Sequence, residues 1–230
     1  MALPLLNETP TYQLVVPSTG KKIKYRPYLV KEEKILLIAN ETKDETQIIN
    51  AITDTIVACT DNKIKIEELT TFDLEFLFLK IRSKSVGENV ELFLPCSSCK
   101  QRNETVVNLD LIECPVVETE NLIQVNDSVS VEMKYPSYFD IEQGGDESEV
   151  AFNVVSSCIK AVITKEERFD ISDEPKETVR AFLESMTSAQ FANIAEFVQS
   201  LPQIKHTIEF DCDNCGEHNS IEVKGIHNFF

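Results

Sequence analysis

Apolar side chains return at every third or fourth position through QIINAITDTIVACT (47–60). Ile48, Ile49, Ile52 and Ile56 fall on one face there, and Cys59 continues it. The spacing predicts a helix with a buried stripe. In TTFDLEFLFLKIRSKS (70–85), Thr70 and Asp73 form a capping box, apolar residues cover much of the circumference, and Gly87 marks the end. That helix should lie deep against its neighbours. Before both, TYQLVV and KKIKYR flank the turn sequence PSTG and predict a β-hairpin. After them, ENVELFLP and NETVVNLDL alternate apolar and polar positions, which predicts two strands joined through the cysteines of LPCSSCKQRN (94–103).

The second half runs through a similar order. NLIQVNDSVSVEMKYP reads as extended chain and VAFNVVSSCIKAVI (150–163) as a helix containing Cys158. TSAQFANIAEFVQSL is a helix opened by a Thr187–Gln190 capping box and stopped by Pro202. KHTIEFD and NSIEVKG then flank the second cysteine pair, FDCDNCGEHN (210–219). Adding 116 carries Thr71 to Thr187, Phe78 to Ile194, Ile81 to Phe197, Cys96 to Cys212, Cys99 to Cys215 and Asn103 to Asn219. A fixed offset of this kind is the mark of a duplication. The expected architecture is α+β: two pseudo-repeated halves, 1–112 and 113–230, in one compact unit joined by a zinc-ribbon-like element. The register is imperfect, since Leu74 falls on Gln190.

Two C-x2-C turns, each between strands, supply the four thiolates a tetrahedral zinc requires, whereas either alone supplies half a site. The expected ligands are Cys96, Cys99, Cys212 and Cys215, closing one structural zinc. His218 extends the second pair to C-x2-C-x2-H, but its counterpart at the 116 offset is Arg102, so a surface histidine is the expected reading. Cys59, Cys114 and Cys158 stand singly among apolar neighbours and read as core. A dithiol oxidoreductase would place C-x-x-C at the start of a helix, and here a turn into a strand follows both pairs.

Composition narrows the function classes. The net charge of −17 opposes DNA, RNA and anionic membranes, which makes a zinc-ribbon nucleic-acid or transcription module the less favoured alternative. The basic stretch KKIKYRP (21–27) reads as a solvated strand edge. No run approaches the length of a membrane-spanning helix, and MALPLLNETP lacks the features of a secretory signal, so a cytoplasmic location is expected. Neither a nucleophile elbow, a P-loop, a dinucleotide fingerprint nor a zincin motif occurs. The acidic stretches KEERFDISDEPKE (165–177) and GGDESE read as solvated loops and helix starts, and the expectation is that the chain is not an enzyme.

ETPTYQLVVPSTGKKIKYRPYLVKEEKILLIA (8–39) and FDLEFLFLKIRSKSVGE (72–88) resemble the base plate hub assembly proteins of contractile-tailed phages. The resemblance is close in the first half of the chain and fainter in the second. It implies a late phage protein that binds hub proteins while the central hub of the tail base plate is built. It also implies that the protein works as a hub subunit or assembly chaperone in the host cytoplasm, with the virion base plate as a second location. No catalytic residue is carried over. The apolar end IHNFF, with Phe229 and Phe230, is a candidate contact.

Overall fold

The computed structural model describes residues 9–114, 121–141 and 147–224. The chain forms two compact units, Met1–Val116 with Gln203–Phe230, and Val117–Pro202. The segment that ends the second half of the sequence thus belongs with the first unit. Among the described residues there are six α-helices and small antiparallel sheets, and no helix is long and apolar enough to cross a membrane.

The first unit opens with the expected hairpin, β1 (Tyr12–Val15) and β2 (Lys22–Tyr25), closed by a bond from Gly20 N–H to Val16 O. Lys22 and Lys24 face out while Ile23 and Tyr25 are buried. Helix α1 (Val30–Thr42) follows, and its fourth turn ends at Lys43 in the left-handed region. Asp44 then caps α2 (Glu45–Cys59), accepting from the N–H groups of Thr46 and Gln47. Ile49, Ile52, Ile56 and Cys59 are buried along α2, the face the periodicity predicts.

Helix α3 (Thr71–Val86) starts at the Thr70–Asp73 capping box and stops at Gly87. The fully buried Asp73 also accepts from Ser18 N–H at 2.9 Å and from its hydroxyl at 2.5 Å, which ties the β1–β2 turn to the helix start. Two hairpins complete the unit: β3 (Asn89–Pro95) with β4 (Arg102–Asn108), and β9 (Lys205–Asp211) with β10 (His218–Lys224). Their inward residues Val90, Val107, Ile208 and Val223 share one core with Leu79 of α3 and with Leu109, Ile112 and Ile204. This common apolar patch brings together two hairpins separated in sequence by residues 109–204. Burying such side chains contributes about 1.5–3 kcal/mol each, before the entropy of ordering the chain is subtracted.

The second unit is a four-stranded antiparallel sheet in the order β5 (Leu122–Asn126), β6 (Val129–Met133), β7 (Ile159–Thr164) and β8 (Arg168–Asp170). Helices α4 (Glu147–Ser157), α5 (Lys176–Glu184) and α6 (Ser188–Gln199) accompany it. Val131, Met133, Val155, Ile159, Leu183, Ile194 and Phe197 lie in its core.

Here the structure corrects two expectations. The segment read as one helix through Cys158 divides at that residue: α4 ends at Ser157, and IKAVIT becomes β7. Its β-branched residues suit a pleated strand, and β6 and β8 offer pairing edges on both sides, so tertiary pairing overrides the helical pattern. The acidic stretch 165–177 leads into the start of α5, as expected, but holds β8 where only a solvated loop was expected. Cys59 and Cys158 are buried, while Cys114 is half-buried against the core of the first unit. Burial pushes these thiols up, to about 11 for Cys59 and Cys158 and about 12 for Cys114. The IHNFF end and His227 lie outside the described residues.

Candidate metal centre

Each cysteine pair sits in a tight turn between two paired strands, and the two turns close in the same way. Cys96 N–H donates to Gln101 O at 2.8 Å and Lys100 N–H to Cys96 O at 3.1 Å. In the second turn Cys212 N–H donates to Glu217 O at 2.9 Å and Gly216 N–H to Cys212 O at 2.8 Å. The return to the strand passes through a left-handed residue in both, Lys100 at φ 63° and Gly216 at φ 71°. Glycine adopts that backbone freely, whereas lysine is strained in it.

The turns are braced against each other by two buried asparagines. Asn219 Oδ1 accepts from both the N–H and the hydroxyl of Ser97, each at 2.8 Å, while its Nδ2 donates to Glu217 O at 2.8 Å and points at Cys96 Sγ at 3.7 Å. Asn103 does the reciprocal work: its Oδ1 accepts from Asp213 N–H at 3.0 Å and its Nδ2 donates to Gln101 O at 2.8 Å. Each asparagine stands four residues after the second cysteine of its pair, a C-x2-C-x3-N pattern present twice in the sequence. That pattern was the available signal for two structural residues that the spacing of the cysteines alone does not single out.

All four sulfurs lie within 4.8 Å of one another, with Cys96 Sγ 3.7 Å from Cys215 Sγ and Cys99 Sγ 3.6 Å from Cys212 Sγ. Sulfurs at the corners of a tetrahedron around an ion bound at about 2.3 Å stand about 3.8 Å apart, so the group can hold a metal ion with little adjustment. Cys96 and Cys212 are buried and Cys99 and Cys215 exposed, so the group is reached from one side.

The sulfurs are prepared for negative charge unequally. The Cys99 backbone N–H, helped by Ser98 N–H and the Asn219 amide, outweighs burial and draws Cys96 down to about 6. Cys99 is lowered by the Asn214 amide and the Gln101 N–H. At Cys215 the Glu217 N–H also lowers the value, but the neighbouring thiols and burial outweigh it and carry it up to about 12. Four thiolates this close repel one another, and a cation among them offsets that repulsion.

His218 stands apart from the sulfurs. Its Nδ1 pairs with Asp211 Oδ1 at 2.8 Å across the exposed face of β9–β10, and that carboxylate raises the imidazole pKa. Both cysteine pairs run directly into strands, β4 and β10, and neither lies at the start of a helix.

The offset of 116 relates the backbone bonds of the two turns and the amide bonds of the two asparagines, while the bonds of Asn219 to the Ser97 hydroxyl and Cys96 Sγ have no counterpart at Asn103. Farther out it slips: the caps Thr70 and Thr187 are one residue out of that register, α3 has 16 residues against 12 for α6, and the two helices lie in different units.

Comparison with known proteins places the chain. The model of the family described as T4 bacteriophage base plate protein matches residues 9–230, nearly the whole sequence, and the chain belongs to that family. No curated protein and no solved structure matches it at a significant level.

Proposed function

We propose that this member of the base plate family is a non-enzymatic subunit or assembly factor of the central hub, which binds hub proteins in the host cytoplasm while the base plate is built. The family match over residues 9–230 carries the reading. Zinc is the ion we assign to Cys96, Cys99, Cys212 and Cys215. Four thiolates at tetrahedral spacing suit a borderline-soft divalent ion and leave it no open position for water or substrate. The ion then acts as a clamp, fixing the β3–β4 turn to the β9–β10 turn across 112 intervening residues. The matching turns are read as two copies of one duplicated ribbon element. The net charge of −17 suits a partner with a basic face and repels nucleic acid.

Two experiments test this. A phage whose copy of the gene carries an early stop codon should accumulate tails lacking complete base plate hubs, and complementation in trans should restore them; normal hubs at normal yield would overturn the assembly role. Metal analysis of the purified protein should find about one zinc per chain, as expected for one closed four-thiolate site. Cys212→Ser should lose that zinc and melt lower, and unchanged metal content in this variant would overturn the shared site.

A further inference from the structure

The two cysteine hairpins are built alike, so each is a reference for the other. Their pairings coincide under the 116 offset: Glu91 faces Val106 and Phe93 faces Glu104 on β3–β4, where Thr207 faces Glu222 and Glu209 faces Ser220 on β9–β10. Away from the buried asparagines and Thr105, the inward positions are apolar in both, with Leu92, Leu94 and Val107 answering Ile208, Phe210 and Val223. The outward positions differ. On β9–β10 they are polar: Asp211 pairs with His218 at 2.8 Å and Glu222 with Lys205 at 3.9 Å, while Glu209 faces the solvent without an ion pair among the described residues.

On β3–β4 the same face carries Phe93, 57% exposed, and Val106, 62% exposed. The two are diagonal neighbours across the strands, a spacing of about 7–8 Å that lets an aromatic ring and a branched side chain present one patch. Glu91 and Glu104 occupy the other diagonal. Among the described residues no cation pairs with either carboxylate. The apolar diagonal is the part that solvent does not explain: at the positions matching Phe93 and Val106 the sister hairpin carries Glu209 and Glu222.

The geometry points to the outer face of β3–β4 as a docking surface for another protein of the base plate, one presenting an apolar patch flanked by lysine or arginine. Charge selects that occupant. A second copy of this chain would set Glu91 and Glu104 against their own kind and −17 against −17, and a nucleic acid would meet the same repulsion. A cationic rim supplies the missing partners of the carboxylates, while Phe93 has the size and chemistry of an interface anchor. The turn at the end of this hairpin is the one braced by Asn219 and the sulfur group, so the face is held in shape before a partner arrives. This inference rests on the reading of the chain as a base plate assembly subunit and adds the surface that performs it.

A photo-crosslinking amino acid placed at position 93, with the same residue at 209 as the control, tests the face in phage-infected cells. Position 93 should give an adduct with one phage structural protein, through a peptide containing lysine or arginine, and position 209 should not. An adduct with a second copy of this chain, or no adduct beyond that of the control, overturns the proposal. Complementation of the early-stop phage supplies the second arm. The double variants Phe93→Thr with Val106→Thr, and Glu91→Lys with Glu104→Lys, should keep a melting temperature close to that of wild type and lower hub yield about tenfold, as loss of an interface anchor does. Glu209→Ala should complement fully. Full complementation by both double variants overturns the docking face and leaves the assembly role standing; normal hubs without any of the protein overturn the role, and the cross-link at 93 still decides the face.

Discussion

Asn219→Ala removes the acceptor that both donors of Ser97 use and the donor that Glu217 O uses, three bonds of 2.8 Å, together with the weaker 3.7 Å approach to Cys96 Sγ. Each ordinary hydrogen bond contributes about 1 kcal/mol net, and the cost rises where a buried group is left unpaired. Ser97 is exposed, so water re-solvates its freed donors and the estimate stays near the ordinary figure, about 3 kcal/mol in all. Asn103→Ala loses only the bonds to Asp213 N–H and Gln101 O, so it should cost about 2 kcal/mol. At about 2–4 °C per kcal/mol for a chain of this size, the melting temperature should fall by roughly 6–12 °C for Asn219→Ala and less for Asn103→Ala. Calorimetry on the metal-loaded proteins measures both shifts. Amide hydrogen exchange locates them, with faster exchange at Ser97 N–H in the first variant and at Asp213 N–H in the second. If Asn219→Ala melts within about 1 °C of wild type, below the shift of even one hydrogen bond, the cross-brace holds nothing and the reasoning fails. The reverse order of the two variants would refute the bond-by-bond accounting.

Three other outcomes are expected. In a thiol titration of the metal-loaded protein near neutral pH, chelation should release four reactive thiols, with Cys215 the slowest because its neighbours raise it, while Cys59, Cys114 and Cys158, shielded and raised by burial, should react only on unfolding; seven reactive thiols before chelation would contradict the assignment. Glu32, buried at the start of α1, accepts from Leu29 N–H at 2.7 Å and Arg26 at 3.0 Å, and these outweigh burial to hold its carboxyl below the usual range. A depressed carboxyl stabilises the fold above its unfolded pKa, so Glu32→Gln should cost about 1.5–3 kcal/mol at pH 7. Wild type and variant should converge as pH falls below about 4.3 and through the lower folded value, as chemical denaturation across that range would measure. Lys100→Gly should raise stability by about 0.5–1 kcal/mol, because the left-handed backbone at φ 63° strains lysine and suits glycine as at Gly216; a lower melting temperature would show that the Lys100 Nζ bond to Ser97 O outweighs the strain.

What the sequence made legible followed from local pattern. The capping boxes at Thr70 and Thr187, the buried stripe of α2 and the PSTG turn depend on neighbours within a few residues, and they appear where the pattern places them. The errors fall where distant chain decides. IKAVIT continues the apolar run of α4 and becomes a strand because β6 and β8 flank it. Arg168–Asp170 is too short to announce itself and exists as β8 because β7 is there to pair with.

The candidate site was legible for a different reason. Two C-x2-C turns each carry two thiols, and a shared ion is the simplest chemistry that uses four, so Cys96, Cys99, Cys212 and Cys215 could be grouped across 112 residues without knowing the fold. What could not be read was how the turns hold one another. Asn103 and Asn219 look like ordinary polar strand residues until the hairpins are side by side, when each is found capping the other's turn. The 116 offset likewise makes Glu209 the counterpart of Phe93. An exposed phenylalanine means little in a sequence, but it becomes informative when an equivalent hairpin in the same chain shows what that face carries when only water meets it. The thiols and asparagines therefore account for how the hairpins are joined, and the difference between their outer faces accounts for which of them meets a partner.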